Sequence, residues 1–264
     1  MADRQNFDAK KENTVPRVQA ERRGAIPFFN DGADQKMNAA LLATLKAAAL
    51  SPDRNACRDT VNVALADGTR PEDLADLYIP AIARDLGDQW CEDELSFASV
   101  TIGVSRLQAM MRELGPSWTG DNAMTPGAPS ILLLVLQDVY HTLGAIVLTS
   151  QLRRKGFSVK LVLGCRAEDV AERLVRTKYH AVFISSSRGE TLESLRHIID
   201  VIKTSTDTPP PVVVGGTILD VETVEDVTAL TGADYATRIP DEALKLCNLL
   251  ENTRNQITHA KDGT

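Results

Sequence analysis

The chain has 264 residues, 43% apolar and 25% charged, and a formal net charge of −7, an ordinary globular composition with room for two domains. The acidic balance argues against a protein whose main work is gripping nucleic-acid phosphates, so DNA contact is expected to be mainly indirect. No apolar run approaches the ~20 residues of a bilayer-spanning helix, and no membrane contact is expected. The cysteines Cys57, Cys91, Cys165 and Cys247 are scattered, without a C-x-x-C pair, which speaks against a zinc ribbon or thioredoxin-type site. They read as reduced thiols of a cytoplasmic chain lacking a signal peptide.

Residues 1–33 are polar, aperiodic and mixed in charge, and read as a disordered tail, with a basic arm that orders on a partner as the alternative. From 34 to 114 the apolar spacing is helical. Met37, Leu41, Leu42 and Leu45 open it, and Ser51-Pro52 closes the first helix. A second covers Asn55–Ala66 and ends at Asp67-Gly68. A third begins at Pro71 with Thr69 as a cap, carries Leu74, Leu77, Ile82 and Leu86 on one face, and is bent by Pro80. Gly87-Asp88 breaks the pattern before Trp90. The fourth runs from about Leu95 to Leu114, with Val100, Val104, Leu107 and Met111 inward. The expectation is a four-helix bundle.

Residues 115–129, GPSWTGDNAMTPGAP, form an interdomain linker. Beyond it strand and helix alternate over 130–255. The strands are Ile131–Leu136, Ser158–Leu163, Ala181–Ser186, Val212–Val214 and a short one near Asp234-Tyr235. The helices lie at about Gly144–Lys155, Ala167–Thr177, Thr191–Thr204, Val221–Leu230 and Asp241–Asn255, before a frayed tail at 256–264. Strands that are apolar throughout belong in a parallel sheet buried on both faces. The fold class is therefore α/β: an N-terminal four-helix bundle followed by a flavodoxin-like, doubly wound, parallel five-stranded domain. Its ligand crevice lies between the first and third strands.

Ligands of such a sheet contact the loops after its first, third and fourth strands. These loops hold QDVYHTLG with His141 and Gly144, Ser185-Ser186-Ser187-Arg188-Gly189-Glu190, and Gly215-Gly216-Thr217. A neutral imidazole at a strand's carboxyl end is a good transition-metal ligand, although a lone loop histidine is also an ordinary polar residue. Glycines at that edge let a bulky ligand approach bare backbone. The G-x-G-x-x-G and G-x-x-x-x-G-K-[ST] phosphate loops are absent, which makes NAD and ATP poor candidates. No G-x-S-x-G elbow supports a catalytic serine.

Together, His141-x-x-Gly144, Ser185-x-Ser187 and Gly215-Gly216 resemble the D-x-H-x-x-G, S-x-L and G-G motifs of cobalamin-binding domains, and Gly87-x-x-Trp90 resembles the signature of the helical bundle that precedes them. The resemblance spans roughly residues 34–255. It implies that His141 is the lower axial ligand of cobalt, that Ser185 and Ser187 meet the displaced nucleotide tail, and that Gly215 and Gly216 line its slot. Trp90 would cover the upper face, with a plain bundle-core tryptophan as the competing reading. Cys91 is expected to be buried and inert. The family's orienting aspartate falls at Val139 here, with Asp138 one residue displaced, and the Glu-His pair of light-sensing and methyl-transferring members falls at Val100 and Thr101. Arg188 either pairs a phosphate of the tail or is solvated.

Within that superfamily, GDQW…LSFASVTIGVSRLQ with YHTLG is most similar to the AerR/PpaA family of photosynthesis antirepressors. That resemblance implies a non-enzymatic, cobalamin-binding, light- or redox-responsive regulator that binds a CrtJ/PpsR-type repressor. The alternatives are a corrinoid carrier subunit of a methyltransferase system and a haem-binding sensor on the same fold.

Overall fold

The computed structural model describes residues 37–115, 118, 127–136 and 142–250. Helix α1 (Ala39–Leu50) starts where the side-chain oxygen of Asn38 accepts from the amides of Ala40 and Leu41, at 2.9 and 3.2 Å. Helix α2 (Ala56–Ala66) follows. The expected Thr69 cap is not made: the amide of Thr69 closes α2 by donating to Ala64 O, and α3 (Pro71–Asp73) begins after Arg70, with Pro71 in its first turn. The expected bend at Pro80 takes the form of a π-helical turn, Leu74–Tyr78, in which the amide of Ile79 reaches back to Leu74 O. Proline has no N–H and its ring crowds the carbonyl four residues earlier, and the wider turn accommodates both.

Helix α4 (Ile79–Cys91) then runs straight through Gly87-Asp88, where the sequence suggested a break. One interior glycine costs only ~1 kcal/mol relative to alanine, and full burial of Ile82 and Leu86 on the same helix outweighs it. The turn comes later, at Asp93, whose φ is +60°. Helix α5 (Phe97–Leu114) is capped by Ser96, whose hydroxyl accepts from Ser99 N at 3.1 Å.

The second half carries β1 (Ser130–Val135), α6 (Thr142–Arg154), β2 (Ser158–Leu163), α7 (Ala167–Arg176), β3 (Ala181–Ser186), α8 (Leu192–Thr204), β4 (Val212–Gly216), a 3-10 turn (Thr217–Asp220), α9 (Val224–Thr231), β5 (Tyr235–Ala236) and α10 (Pro240–Leu246). All strand pairs are parallel, in the order β2-β1-β3-β4-β5. This is the flavodoxin-like order, with its switch point between β1 and β3. The fourth strand extends through both glycines. The last helix is interrupted after Leu246, where Asn248 takes a φ of +56°, and the part expected beyond Leu250 lies outside the described residues.

Alternation divides the strands between two cores. Ile131, Leu133, Val135, Phe183 and Val213 pack with α6 and α10, whereas Leu132, Leu134, Val182, Ile184 and Val214 pack with α7, α8 and α9. At the amino edge the ends are tied down. The amide of Ser130 donates to His180 Nδ1 at 3.0 Å. Asp234 accepts from Val212 N at 2.7 Å and from Lys203 Nζ at 2.5 Å.

Helix α6 joins the two halves. Ala145, Leu148 and Leu152 enter the core of the sheet, while Leu143 and Val147 enter that of the bundle. At its start Gln108 Nε2 donates to Thr142 Oγ1 at 2.8 Å. At its end Arg154 pairs both oxygens of Asp76 in the π-turn, at 3.0 and 2.6 Å, and stacks over Trp118 at 4.7 Å.

Candidate cofactor site

The site expected from the sequence lies at the carboxyl edge of β1, β3 and β4. His141, Asp138 and Val139 fall outside the described residues, in the connection between Leu136 and Thr142. Both flanks of that connection are buried. Gly144 lies in the first turn of α6, and a Cβ added there would meet no atom within 4 Å among the described residues.

Across the switch point, strand pairing sets Ser185 opposite Gly215 and Ser186 opposite Gly216. Alternation puts Ser185 and Gly215 on the face of Phe183 and Val213, the α6 and α10 side. Gly216 is required for a reason internal to the sheet. Its φ is +111°, and a Cβ there would lie 2.0 Å from Ser186 O. Ser187, at the position of the family's leucine, is buried. The structure thus brings Ser185, Ser187, Gly215, Gly216 and Gly144 to one edge of one sheet.

Trp90 is not a core residue. It lies in the last turn of α4, 47% exposed, with its ring centroid 6.1 Å from that of Phe97, itself 59% exposed. Cys91 is exposed too, contrary to the expectation of burial. Thr101, in place of the family's histidine, directs its hydroxyl to Phe97 O at 2.8 Å. Phe97, Thr101, Val104 and Gln108 share one face of α5 by their three-to-four spacing, and the last of them bonds Thr142 beside the site. Sequence reasoning missed Phe97 and Gln108; a side chain whose partner is 34 residues away leaves no local signal.

Arg188 is exposed to solvent and paired: its guanidinium meets Asp220 at 2.9 Å, and its amide donates to Thr217 Oγ1 at 3.0 Å. Arg238 pairs the other oxygen of the same carboxylate at 2.6 Å. Cys165, after β2, lies with its sulfur 3.6 Å from Val135 O, and burial pushes the thiol up to about 11. It is therefore protonated at neutral pH and a poor metal ligand.

The model of the B12 binding domain matches residues 129–245. An uncharacterized 20.5 kDa protein in the bchF-crtJ intergenic region of Rhodobacter capsulatus is 32% identical over 166 residues, which is 63% of this chain and 85% of that protein. Among solved structures, the methanol:cobalamin methyltransferase complex MtaBC from Methanosarcina barkeri is 15% identical, with a TM-score of 0.38, over 67% of this chain and 68% of that one. A cobalamin-binding protein from Desulfitobacterium hafniense DCB-2 is 22% identical, with a TM-score of 0.39, over 79% of this chain and 97% of that one. The chain carries a B12 binding domain over residues 129–245 and belongs to one family with the Rhodobacter capsulatus protein.

Proposed function

We propose that this protein is a cobalamin-binding regulator and not an enzyme, acting in the cytoplasm as an antirepressor toward a CrtJ/PpsR-type repressor of photosynthesis genes. The observation that carries the reading is the convergence of the loops after β1, β3 and β4 at the switch point of the sheet, with Gly144 in the first turn of α6 and Ser185 and Ser186 paired with Gly215 and Gly216. The residues present fit a corrinoid with a displaced tail. His141 would hold the cobalt, with Asp138 and Val139 as its neighbours in the chain. Ser185, Ser187, Gly215 and Gly216 would receive the tail, and the exposed Trp90–Phe97 pair would cover apolar ligand surface. Bound cobalamin supplies a cobalt–ligand bond that light or a change of redox state alters.

What this chain's own residues add is coupling. Thr142, next to His141 in the chain, holds Gln108 of the bundle, and α6 is packed into both cores. A displacement at the start of α6 therefore alters the fit between the two halves, and with it any surface that differs between two states. A repressor responds to the change only through its differential affinity for those states. The relative's position beside crtJ supports the choice of partner.

The test is the absorption spectrum of the purified protein with cobalamin or with haem, dark and illuminated, alongside His141→Ala. Cobalamin spectra that change on binding and on illumination, and are lost in the variant, support the reading. A variant with unchanged bound-cobalamin spectra overturns the role of His141, and a haem spectrum in place of a cobalamin one overturns the cofactor.

A further inference from the structure

One end of the helical half concentrates a single sign of charge. Between Arg84 and Arg106 the chain holds Asp85, Asp88, Glu92, Asp93 and Glu94 and no lysine, arginine or histidine. Asp85 is neutralised by Lys46 at 2.5 Å, and Arg106 is committed to the carbonyls of Ala49 and Ser51. Even with Arg84 set against Asp88 one turn later, Glu92, Asp93 and Glu94 face solvent with no cation paired to them among the described residues. Local stability does not account for all of these acids. Asp93 and Glu94 precede the amino end of α5, where a carboxylate is favoured. Asp88 and Glu92 lie at the carboxyl end of α4, where the helix dipole disfavours negative charge. The turn is also held still, because the carbonyl of Gln89 accepts from both Glu94 N and Leu95 N, at 2.8 and 3.2 Å. Beside it Phe97, Ala98 and Ile102 are exposed on α5. Such a surface is complementary to a segment that is basic at one end and apolar at the other.

The chain contains such a segment. Arg22-Arg23-Gly24-Ala25-Ile26-Pro27-Phe28-Phe29 sets two arginines before an apolar run, between Glu21 and Asp31. Its tether is long enough. The amide of Asn38 donates to the hydroxyl of Tyr78 at 2.9 Å, at the start of α4, and the 13 residues of that helix rise by about 20 Å to the acidic turn. The stretch from Phe29 to Met37 spans up to about 26 Å when extended. We propose that residues 22–29 dock on this surface of their own chain, with Arg22 and Arg23 against Glu92, Asp93 and Glu94, and Ile26, Phe28 and Phe29 on Phe97, Ala98 and Ile102. Exposed ion pairs are weak singly. A short tether, however, holds the arm at an effective concentration in the millimolar range, so modest contacts keep it in place. The docked arm closes the surface to other basic segments, and a partner of that chemistry has to displace it. The contact uses no residue of the sheet's carboxyl edge and does not rest on the cobalamin reading.

The test is amide hydrogen exchange of the full, cofactor-free chain. The native protein is compared with Arg22→Glu/Arg23→Glu, with Glu92→Lys/Glu94→Lys, and with all four substitutions together. Glu92 and Glu94 are exposed, so their replacement leaves the core intact. The amides of residues 23–29 should exchange about tenfold more slowly in the native chain than in either two-residue variant. The chain with all four substitutions should recover that protection, and about 1 M salt should remove it from the native chain by screening. No protection of the native chain at low salt, or protection that survives either charge reversal, overturns the contact. Failure of the fourfold variant to regain protection overturns the pairing of these arginines with these carboxylates. Protection that rises with protein concentration overturns the intramolecular form and gives the surface to the arm of a second copy of the chain.

Discussion

The two edges of the sheet are built from the same five strands and closed in opposite ways. At the amino edge the described strand ends are tied to side chains elsewhere in the chain. Ser130 meets His180, Asp234 closes the start of β4 and grips Lys203, and the chain ends there are satisfied by side chains. At the carboxyl edge the strands run out into serines and glycines, with Ser186 and Ser187 buried and Arg188 and Arg238 paired to Asp220. Buried backbone needs partners wherever it ends. The amino edge finds them within the chain, whereas at the carboxyl edge a ligand would supply some of them on the reading proposed above. Stability and binding are in this way divided between opposite ends of the same strands.

Substitutions at the two edges should therefore separate these properties. The largest effect is expected at Gly216→Ala. Its methyl would have to occupy space already held by Ser186 backbone, at a φ of +111°, and a loss of about 3 kcal/mol or more is expected in chemical denaturation. A loss below about 1 kcal/mol would show that β3 and β4 can move apart there. At the amino edge, Asp234→Ala removes the acceptor of both Val212 N and Lys203 and should cost about 2 kcal/mol. Corrinoid affinity should be unchanged in that variant; a parallel fall in affinity would mean that the two edges are not independent. The smallest effect, with opposite signs in its two readouts, is expected at Gly144→Ala. With no atom within 4 Å of the added methyl, the cofactor-free protein should gain about 0.5–1 kcal/mol from the better helix former. Corrinoid affinity should drop, because the methyl fills ligand space. A gain in stability with undiminished affinity would remove Gly144 from the site.

Much of this architecture is legible in the sequence because it follows from short-range rules. The continuous apolar run at Ile131–Leu136 announces a strand buried on both faces, and Pro71 and Pro80 mark a helix start and a distortion. Where the reading slipped, tertiary packing overrode a local preference: Gly87 stayed helical because Leu86 is buried beside it, and Thr69 was already committed to closing α2. The site divides along the same line. Ser185, Gly215 and Gly144 are recognisable by their positions after strands. Gln108, Asp220 and Arg238 were not, since each acquires its meaning from a partner far along the chain. The exposure of Trp90 was equally unreadable, since helical spacing assigns a face without saying whether anything covers it.

Helix α6 has a mechanical consequence. It begins beside the proposed ligand, ends in the Arg154–Asp76 pair, and contributes apolar side chains to both hydrophobic clusters along its length. A rod clamped at both ends cannot shift at one without loading the other, because close-packed interiors transmit displacement more readily than they absorb it. A strain of a few tenths of an ångström at Thr142 would be carried along the whole rod to the π-turn at Leu74–Tyr78, where the hydrogen-bond ladder of the bundle is already loosened. That turn is the natural fuse of the molecule, the place where a signal entering at the cofactor edge would first become a change of shape.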